Sequence, residues 1–242
     1  MRSVIVLPTY NERENIEVFL RSVRDTGASV DVLVVDDASP DGTADAARAL
    51  ADELGGIAVL DRTAKDGLGS AYRAGFEQVL AEDYDVIFSM DADLSHDPAV
   101  IPEMLRLLEE GADAVVGSRY VRGGGTTDWP THRRLLSKWG NAYTRTALRL
   151  PVNDCTSGYR AYSAAALRSI EPTTTQAEGY AFLTELVRRL ARTGHSIVET
   201  PIIFRDRERG KSKMSGRIVV ESMWLVTTWG VADRARRLTG RA

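Results

Sequence analysis

The sequence predicts an α/β fold in which helices flank an open, mostly parallel sheet, organised as a single domain over residues 1–242. Apolar runs rich in Val and Ile alternate with helix-like stretches through the first half of the chain, which is the pattern of consecutive strand–helix–strand units. The composition, with 43% hydrophobic and 27% charged residues, suits a globular protein and excludes disorder, collagen-like repeats and coiled coil.

Five apolar runs predict the strands of this sheet. Because the runs are continuous rather than alternating, they suit strands that helices cover on both faces. The predicted strands are Ser3–Leu7, Val30–Val35, Ile57–Leu60, Val86–Met90 and Ala114–Val116.

Four helices are predicted between these strands. The second has apolar residues at three- and four-residue spacing, as a helix with one buried face requires. Asp41 is the predicted N-cap of that helix, and the pair Asp97-Pro98 begins the fourth. The predicted helices are Glu14–Arg24, Gly42–Leu54, Ser70–Ala81 and Pro98–Leu108.

The pattern changes near residue 118. Residues 1–118 carry 9 Lys or Arg and 24 Asp or Glu, whereas residues 119–242 carry 22 and 10. An acidic half that binds a metal and a basic half that binds anions would give this division, and so would an uneven surface. The elements predicted in the second half are helices at Arg133–Leu148, Ala181–Arg192 and Gly216–Ala232, a strand at Ser196–Phe204 and a loop at Arg205–Lys213.

Several classes of protein do not fit the sequence. No apolar run reaches the roughly 18 residues of a membrane-spanning helix, and the N-terminus becomes polar too early for a secretory signal. Cys155 is the single cysteine, so neither a disulfide framework nor a cysteine zinc site is expected. The Gly-x-Gly-x-x-Gly turn of a dinucleotide-binding enzyme is missing, and no nucleic-acid-binding module is found.

Three polar clusters follow the first, second and fourth predicted strands, at Pro8–Glu12, Asp36–Gly42 and Asp91–Asp93. Open α/β sheets bind ligands beyond the carboxyl ends of their strands, so these clusters are expected to meet. Asp91 and Asp93 are two residues apart at the end of a strand, so their carboxylates are expected to point in the same direction. Their mutual repulsion favours a site for Mg²⁺ or Mn²⁺ on a substrate phosphate, and a solvated turn is the alternative.

These clusters carry a resemblance to a known family. Pro8–Glu12, Val35–Gly42 and Met90–His96 resemble the motifs of the inverting GT-A glycosyltransferases of family 2. Four further stretches resemble, more narrowly, the dolichol- or polyprenol-phosphate mannose synthases. They are Lys65–Ala71, Gly117–Tyr120, Asp154–Arg160 and Arg207–Lys213, so that the similarity extends from about residue 3 to residue 215.

The resemblance implies roles for individual residues. It places Asp91 and Asp93 on the metal of the donor diphosphate, with Ala92 lining the same site. The guanosine pocket would consist of Pro8, Tyr10, Glu12, Val35 and Asp37. The phosphates of donor and acceptor would be neutralised by Arg119, Arg207 and Lys213, and the acceptor phosphate would also meet Arg133 and Ser137.

The implied reaction is transfer of mannose from GDP-mannose to a polyprenyl phosphate. A phosphate monoester is largely a dianion at neutral pH, because its second pKa is near 6. The acceptor therefore needs no general base, and none of His96, His132 and His195 is predicted to act in the chemistry. Many family members have Gln where this chain has Ser95, which leaves the choice between Mg²⁺ and Mn²⁺ open.

A lipid acceptor also implies a location. The protein is expected in the cytoplasm, peripheral at the cytoplasmic face of a membrane, on the lipid surface or with a membrane partner protein. The final predicted helix is apolar around much of its circumference and is followed by Arg234, Arg236, Arg237 and Arg241. This pattern is typical of an interfacial anchor, and a helix packed on the sheet with a solvated tail is the alternative.

Two other functions remain open. One is another chemistry on the same fold, such as transfer of glucose from a UDP-sugar to polyprenyl phosphate, or transfer of a sugar to a hydroxyl group. The shape of the donor pocket decides between the donors. A non-catalytic subunit that binds nucleotide sugars would be expected to lack a metal carboxylate, but both Asp91 and Asp93 are present. No nucleic-acid partner is expected.

Overall fold

The structure, a computed structural model, describes residues 1–206 and 216–238. Its strands are β1 (Ser3–Thr9), β2 (Val30–Asp36), β3 (Ile57–Asp61), β4 (Val86–Ser89), β5 (Ala114–Ser118), β6 (Gly125–Thr126), β7 (Arg160–Ser163), β8 (Ile197–Pro201) and β9 (Ile203–Phe204). Its helices are α1 (Arg13–Asp25), α2 (Thr43–Leu54), α3 (Leu68–Leu80), α4 (Ile101–Glu109), α5 (Thr131–Leu148), α6 (Ala164–Ser169), α7 (Gly179–Arg192) and α8 (Gly216–Leu238).

Seven of these strands form one sheet in the order β3-β2-β1-β4-β7-β5-β8. All neighbours are parallel except β7, which runs antiparallel between β4 and β5. The short strands β6 and β9 pair with each other separately. The carboxyl ends of the parallel strands therefore lie along one edge of the sheet.

Helices cover both faces of the sheet. Successive residues of β1 point to opposite faces, so that Ile5 packs in one buried cluster with Phe19 of α1. Val4 and Phe76 of α3 belong to the cluster on the other face. The predicted α/β fold with mostly parallel strands is confirmed. The predicted burial on both faces is wrong for β3, which lies at an edge of the sheet and is only partly buried.

Asp97 and Asp41, the two predicted N-cap residues, accept hydrogen bonds at the start of α4 and α2, but only Asp97 occupies a cap position. The Asp97 carboxylate accepts from the Ala99 backbone N–H at 3.0 Å, before a 3₁₀ turn that leads into α4. At α2 the N-cap position belongs to Gly42, and Asp41 accepts from the Thr43 backbone N–H at 3.1 Å from one residue further out.

The second half differs more from the prediction. The sequence pattern does not reveal β7 or α6, and the predicted strand Ser196–Phe204 is divided into β8 and β9. The division occurs where the Ile202 backbone N–H donates to Ser118 O, after which the chain leaves the large sheet. The last helix continues six residues beyond Ala232, to Leu238.

Helices α5 and α8 pack closely against each other beside the edge of the sheet where the parallel strands end. A Cβ on Gly230 would lie 2.9 Å from the Ala147 carbonyl oxygen, so glycine is needed for the contact. Within residues 1–206 and 216–238, no helix is both long and apolar enough to cross a membrane.

Candidate active site

The loops after β1, β2 and β4 meet at the carboxyl edge of the sheet. The Asp37 backbone N–H donates to Thr9 O at 3.0 Å and joins the first two loops. Each loop has a residue other than glycine with a left-handed backbone, namely Asn11 (φ 57°), Ala38 (φ 55°) and Leu94 (φ 63°). Such strain persists where the surrounding structure enforces it, often at functional sites.

A cavity of about 420 Å³, here called cavity A, opens among these loops. Helices α3, α7 and α8 complete its walls. The three loops contribute Pro8, Thr9, Tyr10, Glu12, Asp37, Asp91, Ala92 and Asp93 to its lining. Its size is in the range of a small-molecule binding site.

Tyr10 and Asp37 supply two different recognition groups to cavity A. The Lys65 ammonium lies 4.0 Å from the centroid of the Tyr10 ring, in a cation–π contact. Burial raises the pKa of Asp37, and the attraction of its ion-pair partner Arg62 opposes this shift only in part. An aromatic face beside a carboxylate can stack on a nucleobase and accept from its N–H groups.

The Lys65–Ala71 stretch forms the turn into α3 at the wall of cavity A. A Cβ on Gly69 would lie 2.7 Å from Ala177 O, so glycine allows the turn to approach the chain before α7. The Glu178 carboxylate accepts from the Ser70 backbone N–H at 3.2 Å. The Glu178 carboxylate therefore occupies the N-terminus of α3, a position that in other proteins often binds an anionic ligand.

A second cavity, cavity B, has a volume of about 200 Å³ and lies between α5 and α8. Much of its wall consists of large apolar side chains, with two arginines and several small polar groups among them. The large apolar residues are Trp129, Leu136, Trp139, Phe204, Met223 and Val226. A slot of this kind suits an apolar chain that carries an anionic end.

Asp91 and Asp93 line both cavities. The Ser95 backbone N–H donates to Asp93 Oδ1 at 3.0 Å, and the Asp93 residue is buried. Two carboxylates are oxygen donors of the type that Mg²⁺ and Mn²⁺ prefer. In the described part of the chain, no group of three or more His, Cys, Asp or Glu could hold a metal. The pair therefore fits a cation completed by substrate phosphate oxygens and water.

The Arg119 guanidinium at cavity B is held by a buried carboxylate. Its Nε and Nη2 donate to Asp154 at 2.7 Å each, and its backbone N–H donates at 3.0 Å. Burial alone would raise the pKa of Asp154, but Arg119 and neighbouring N–H groups outweigh burial and hold that pKa below its usual value. The side chain thus reaches the cavity in a fixed orientation.

Arg133 and Ser137 face cavity B from α5. Arg133 donates to Asp206 at 2.8 Å, and its guanidinium lies 4.1 Å from the centroid of a Trp129 ring. The Ser137 hydroxyl accepts from the Tyr120 hydroxyl at 2.6 Å. These contacts order a guanidinium and a hydroxyl, two groups that can bind an anion, at the wall of cavity B.

Helices α5 and α8, which enclose cavity B, expose large apolar side chains. We call them the apolar face; they are Leu135, Leu136 and Trp139 of α5 and Trp224 and Val231 of α8, which are 58–69% exposed. Leu136 and Trp139 also line cavity B, so the slot opens at this face.

Residues 4–171 match the family model described as glycosyl transferase family 2. The chain belongs to glycosyltransferase family 2. Two relatives match over nearly their full lengths. An undecaprenyl-phosphate mannosyltransferase from Micrococcus luteus is 48% identical, over 100% of this chain and 99% of the relative. A polyprenol monophosphomannose synthase from Mycolicibacterium smegmatis is 44% identical, over 99% of this chain and 91% of the relative.

Solved structures of other glycosyltransferases share the fold. A glucosyl-3-phosphoglycerate synthase from Mycobacterium tuberculosis, with Mn²⁺, UDP-glucose and phosphoglyceric acid, has a TM-score of 0.69 at 21% identity, over 95% of this chain and 80% of that one. A mannosyltransferase from Pyrobaculum calidifontis, with GDP-Man and Mn²⁺, has a TM-score of 0.61 at 18% identity, over 98% and 75%. The GT-A fold of this glycosyltransferase is confirmed.

The structure gathers most of the predicted site residues of this glycosyltransferase around the two cavities. Val35 differs, because it is fully buried against Gly75 of α3 and lines neither cavity. Arg207 and Lys213 lie outside the described residues. Cavity A receives Pro8, Tyr10, Glu12, Asp37, Asp91, Ala92 and Asp93, and cavity B receives Asp91, Asp93, Arg119, Arg133 and Ser137.

Sequence reasoning missed the acidic partners of the two arginines. Asp154 opens the Asp154–Arg160 motif, which marks it as a residue of interest but does not identify Arg119 as its partner. Asp206 carries no motif signal at all. Helices α7 and α8, from the second half of the chain, also contribute to the lining of cavity A.

Proposed function

We propose that this glycosyltransferase transfers mannose from GDP-mannose to a polyprenyl phosphate, with inversion at the anomeric carbon. The observation that carries the proposal is the meeting of cavity A and the apolar cavity B at Asp91 and Asp93. A sugar donor and a lipid acceptor can approach that point from different sides. The names of both full-length relatives support a polyprenyl phosphate as acceptor and mannose as the transferred sugar.

Cavity A would hold the donor. Tyr10 would stack on the guanine, and Asp37 and Glu12 would accept from N–H or hydroxyl groups, with Pro8 and Ala92 as walls and Val35 as support from behind. Asp91 and Asp93 would hold Mg²⁺ or Mn²⁺ on the diphosphate. A cation bound there would stabilise the charge that develops on the leaving group.

Cavity B would hold the acceptor phosphate and the first part of its chain. Arg119 and Arg133 would attract the phosphate, and the Ser137 hydroxyl would donate to one of its oxygens. The phosphate oxygen is already ionised near neutral pH, so the chain need only orient it towards the anomeric carbon. Arg207 and Lys213 would neutralise the remaining phosphate charge, and this part of the proposal lies outside the described residues.

We also propose that the protein lies at the cytoplasmic face of a membrane, and the apolar face supports contact with the lipid surface. Trp and Leu side chains beside basic residues are typical of helices that lie in the lipid interface. Cavity B opens at this face, so a lipid could enter without leaving the bilayer. A membrane partner protein could cover the same side chains. On this proposal, residues 1–118 form the nucleotide-sugar and metal half of one catalytic domain, and residues 119–242 form its acceptor half.

The test incubates the purified chain with labelled GDP-mannose, Mg²⁺ or Mn²⁺ and a short polyprenyl phosphate. We expect labelled lipid that requires the cation, and none when the free polyprenol replaces its phosphate. Asp93→Asn should reduce the rate about a hundredfold or more, whereas Asp45→Asn, at an exposed position of α2, should have no effect. Transfer from UDP-glucose alone would establish the other donor, and donor binding without any transfer would indicate a non-catalytic subunit.

A further inference from the structure

His96 is a buried histidine that lies beside the carboxylate pair. The residue is 2% exposed, and within residues 1–206 and 216–238 neither ring nitrogen has a hydrogen-bond partner. Buried polar groups are nearly always paired, because burial without a partner is unfavourable. An imidazole in this state needs an explanation that packing alone does not give.

Two aromatic rings fix the position of the imidazole. Its centroid lies 5.4 Å from that of Tyr159 and 5.4 Å from that of Phe204, with the second ring nearly perpendicular. The left-handed backbone of Leu94 (φ 63°) and the hydrogen bond from the Ser95 backbone N–H to Asp93 lie directly before it. The orientation of the His96 side chain is therefore fixed both by the rings packed against it and by the turn of the backbone before it.

This orientation brings His96 Nε2 to 3.7 Å from Asp91 Oδ2. The distance is somewhat longer than a hydrogen bond. Across the same carboxylate lies Gly158, where an added Cβ would be 3.0 Å from Asp91 Oδ2 and 3.4 Å from Oδ1. The Asp91 carboxylate thus has Gly158 and His96 as close neighbours, and the His96 ring can offer a side-chain N–H donor.

We propose that His96 is a positioning residue for Asp91. In the tautomer with a proton on Nε2, it would donate to Asp91 Oδ2 after a small turn of the carboxylate, and would so hold the carboxylate in one orientation for a cation. Metal-binding carboxylates are commonly held by such a second hydrogen bond, and its loss weakens metal affinity about 10- to 100-fold. The inference rests on the proposed function only in needing a divalent cation at Asp91.

Two other roles fit the geometry less well. Direct metal ligation requires a ring nitrogen that is open to a cavity. His96 lines cavity B, but both of its ring nitrogens are shielded from solvent. A general base is not needed by an ionised phosphate acceptor. A purely structural spacer would not need nitrogen atoms, because an aromatic hydrocarbon ring would pack equally well against Tyr159 and Phe204.

The experiment compares His96→Phe with His96→Gln by measuring Mn²⁺ affinity in the presence of GDP, using electron paramagnetic resonance, and thermal unfolding. We expect His96→Phe to weaken Mn²⁺ binding at least tenfold without lowering the unfolding midpoint. His96→Gln, which keeps an N–H donor, should retain affinity within a few-fold. His195→Phe is the control, since His195 precedes β8 at the opposite edge of the sheet and should leave Mn²⁺ binding unchanged.

The outcomes separate this inference from the proposed function. Unchanged Mn²⁺ affinity in His96→Phe, with normal binding by the wild type, overturns the positioning role alone. Nitrogen coupling from a directly bound imidazole in the Mn²⁺ spectrum also overturns it, because His96 would then be a ligand. A wild type that does not bind Mn²⁺ with GDP overturns both the cation site and this inference.

Discussion

Replacing Asp154 by Asn should destabilise the protein strongly at neutral pH. Asp154 is fully buried and accepts from the backbone N–H and guanidinium of Arg119 and from the backbone N–H groups of Thr156 and Ser157. The Asn amide would turn a donor towards these donors and leave the Arg119 charge buried without its counter-ion. Breaking a buried pair in this way costs about 3–5 kcal/mol, or on the order of 10 °C in unfolding midpoint.

The loss should depend on pH with a definite sign. The pKa of folded Asp154 lies below its ordinary value of 3.8, so its ionisation stabilises the fold above that pH and ceases to do so as the pH falls through the folded pKa. The difference in unfolding free energy between wild type and Asp154→Asn should be constant from about pH 7 to pH 5 and should narrow below about pH 4.

Urea unfolding at a series of pH values measures this difference. The control is Glu53→Gln, which removes a fully exposed partner of Arg21 and should leave the midpoint unchanged because surface pairs contribute little. A neutral-pH loss below about 1 kcal/mol, or a difference that widens towards acid pH, would refute the assignment of Asp154 as the counter-ion that fixes Arg119.

Three further results are expected. Gly158→Ala should weaken Mn²⁺ binding about tenfold, because the added methyl group would displace the Asp91 carboxylate. Titration followed by electron paramagnetic resonance measures the affinity, and an unchanged value would show that the close approach of Gly158 to Asp91 is unimportant. Tyr10→Ala should raise the dissociation constant for GDP at least about fivefold through lost stacking, as measured by calorimetry. Trp139→Ser should reduce sedimentation of the protein with anionic vesicles. The control Val18→Ser, at an exposed apolar position of α1, should not reduce it. Equal losses in the two variants would argue against binding to vesicles through the apolar face.

The parallel part of the fold could be predicted because its signals are local. Runs such as Val30–Val35 are continuous, β-branched and bounded by turn residues, which leaves few alternatives. Strand β7 gives no such signal, since it has four residues and begins with Arg160. Its place in the sheet depends on the guanidinium of that arginine being buried and donating to the carbonyl groups of Ser157, Leu183 and Cys155, which no periodicity reveals.

The part of the site that consists of motifs within single loops could be predicted from the sequence. The Asp91–Asp93 pair and the loops after β1 and β2 meet because parallel strands end at one edge. The contacts that orient the basic residues join positions far apart, 35 residues for Arg119 and Asp154 and 73 for Arg133 and Asp206. Such pairs depend on the packing of α5 and the chain after β9, and a single sequence does not specify that packing.

Helix α8 shows why its sequence pattern was ambiguous. Its apolar residues surround much of the helix, which suits either a lipid anchor or a helix packed on the sheet. In the structure, Leu225 lines cavity A, Met223 and Val226 line cavity B, and Trp224 lies on the exposed apolar face. A helix with such different environments on its several sides has no single polar face. The same segment therefore contributes to both cavities and to the exposed apolar face, so a change in the packing of α8 would alter the two cavities together.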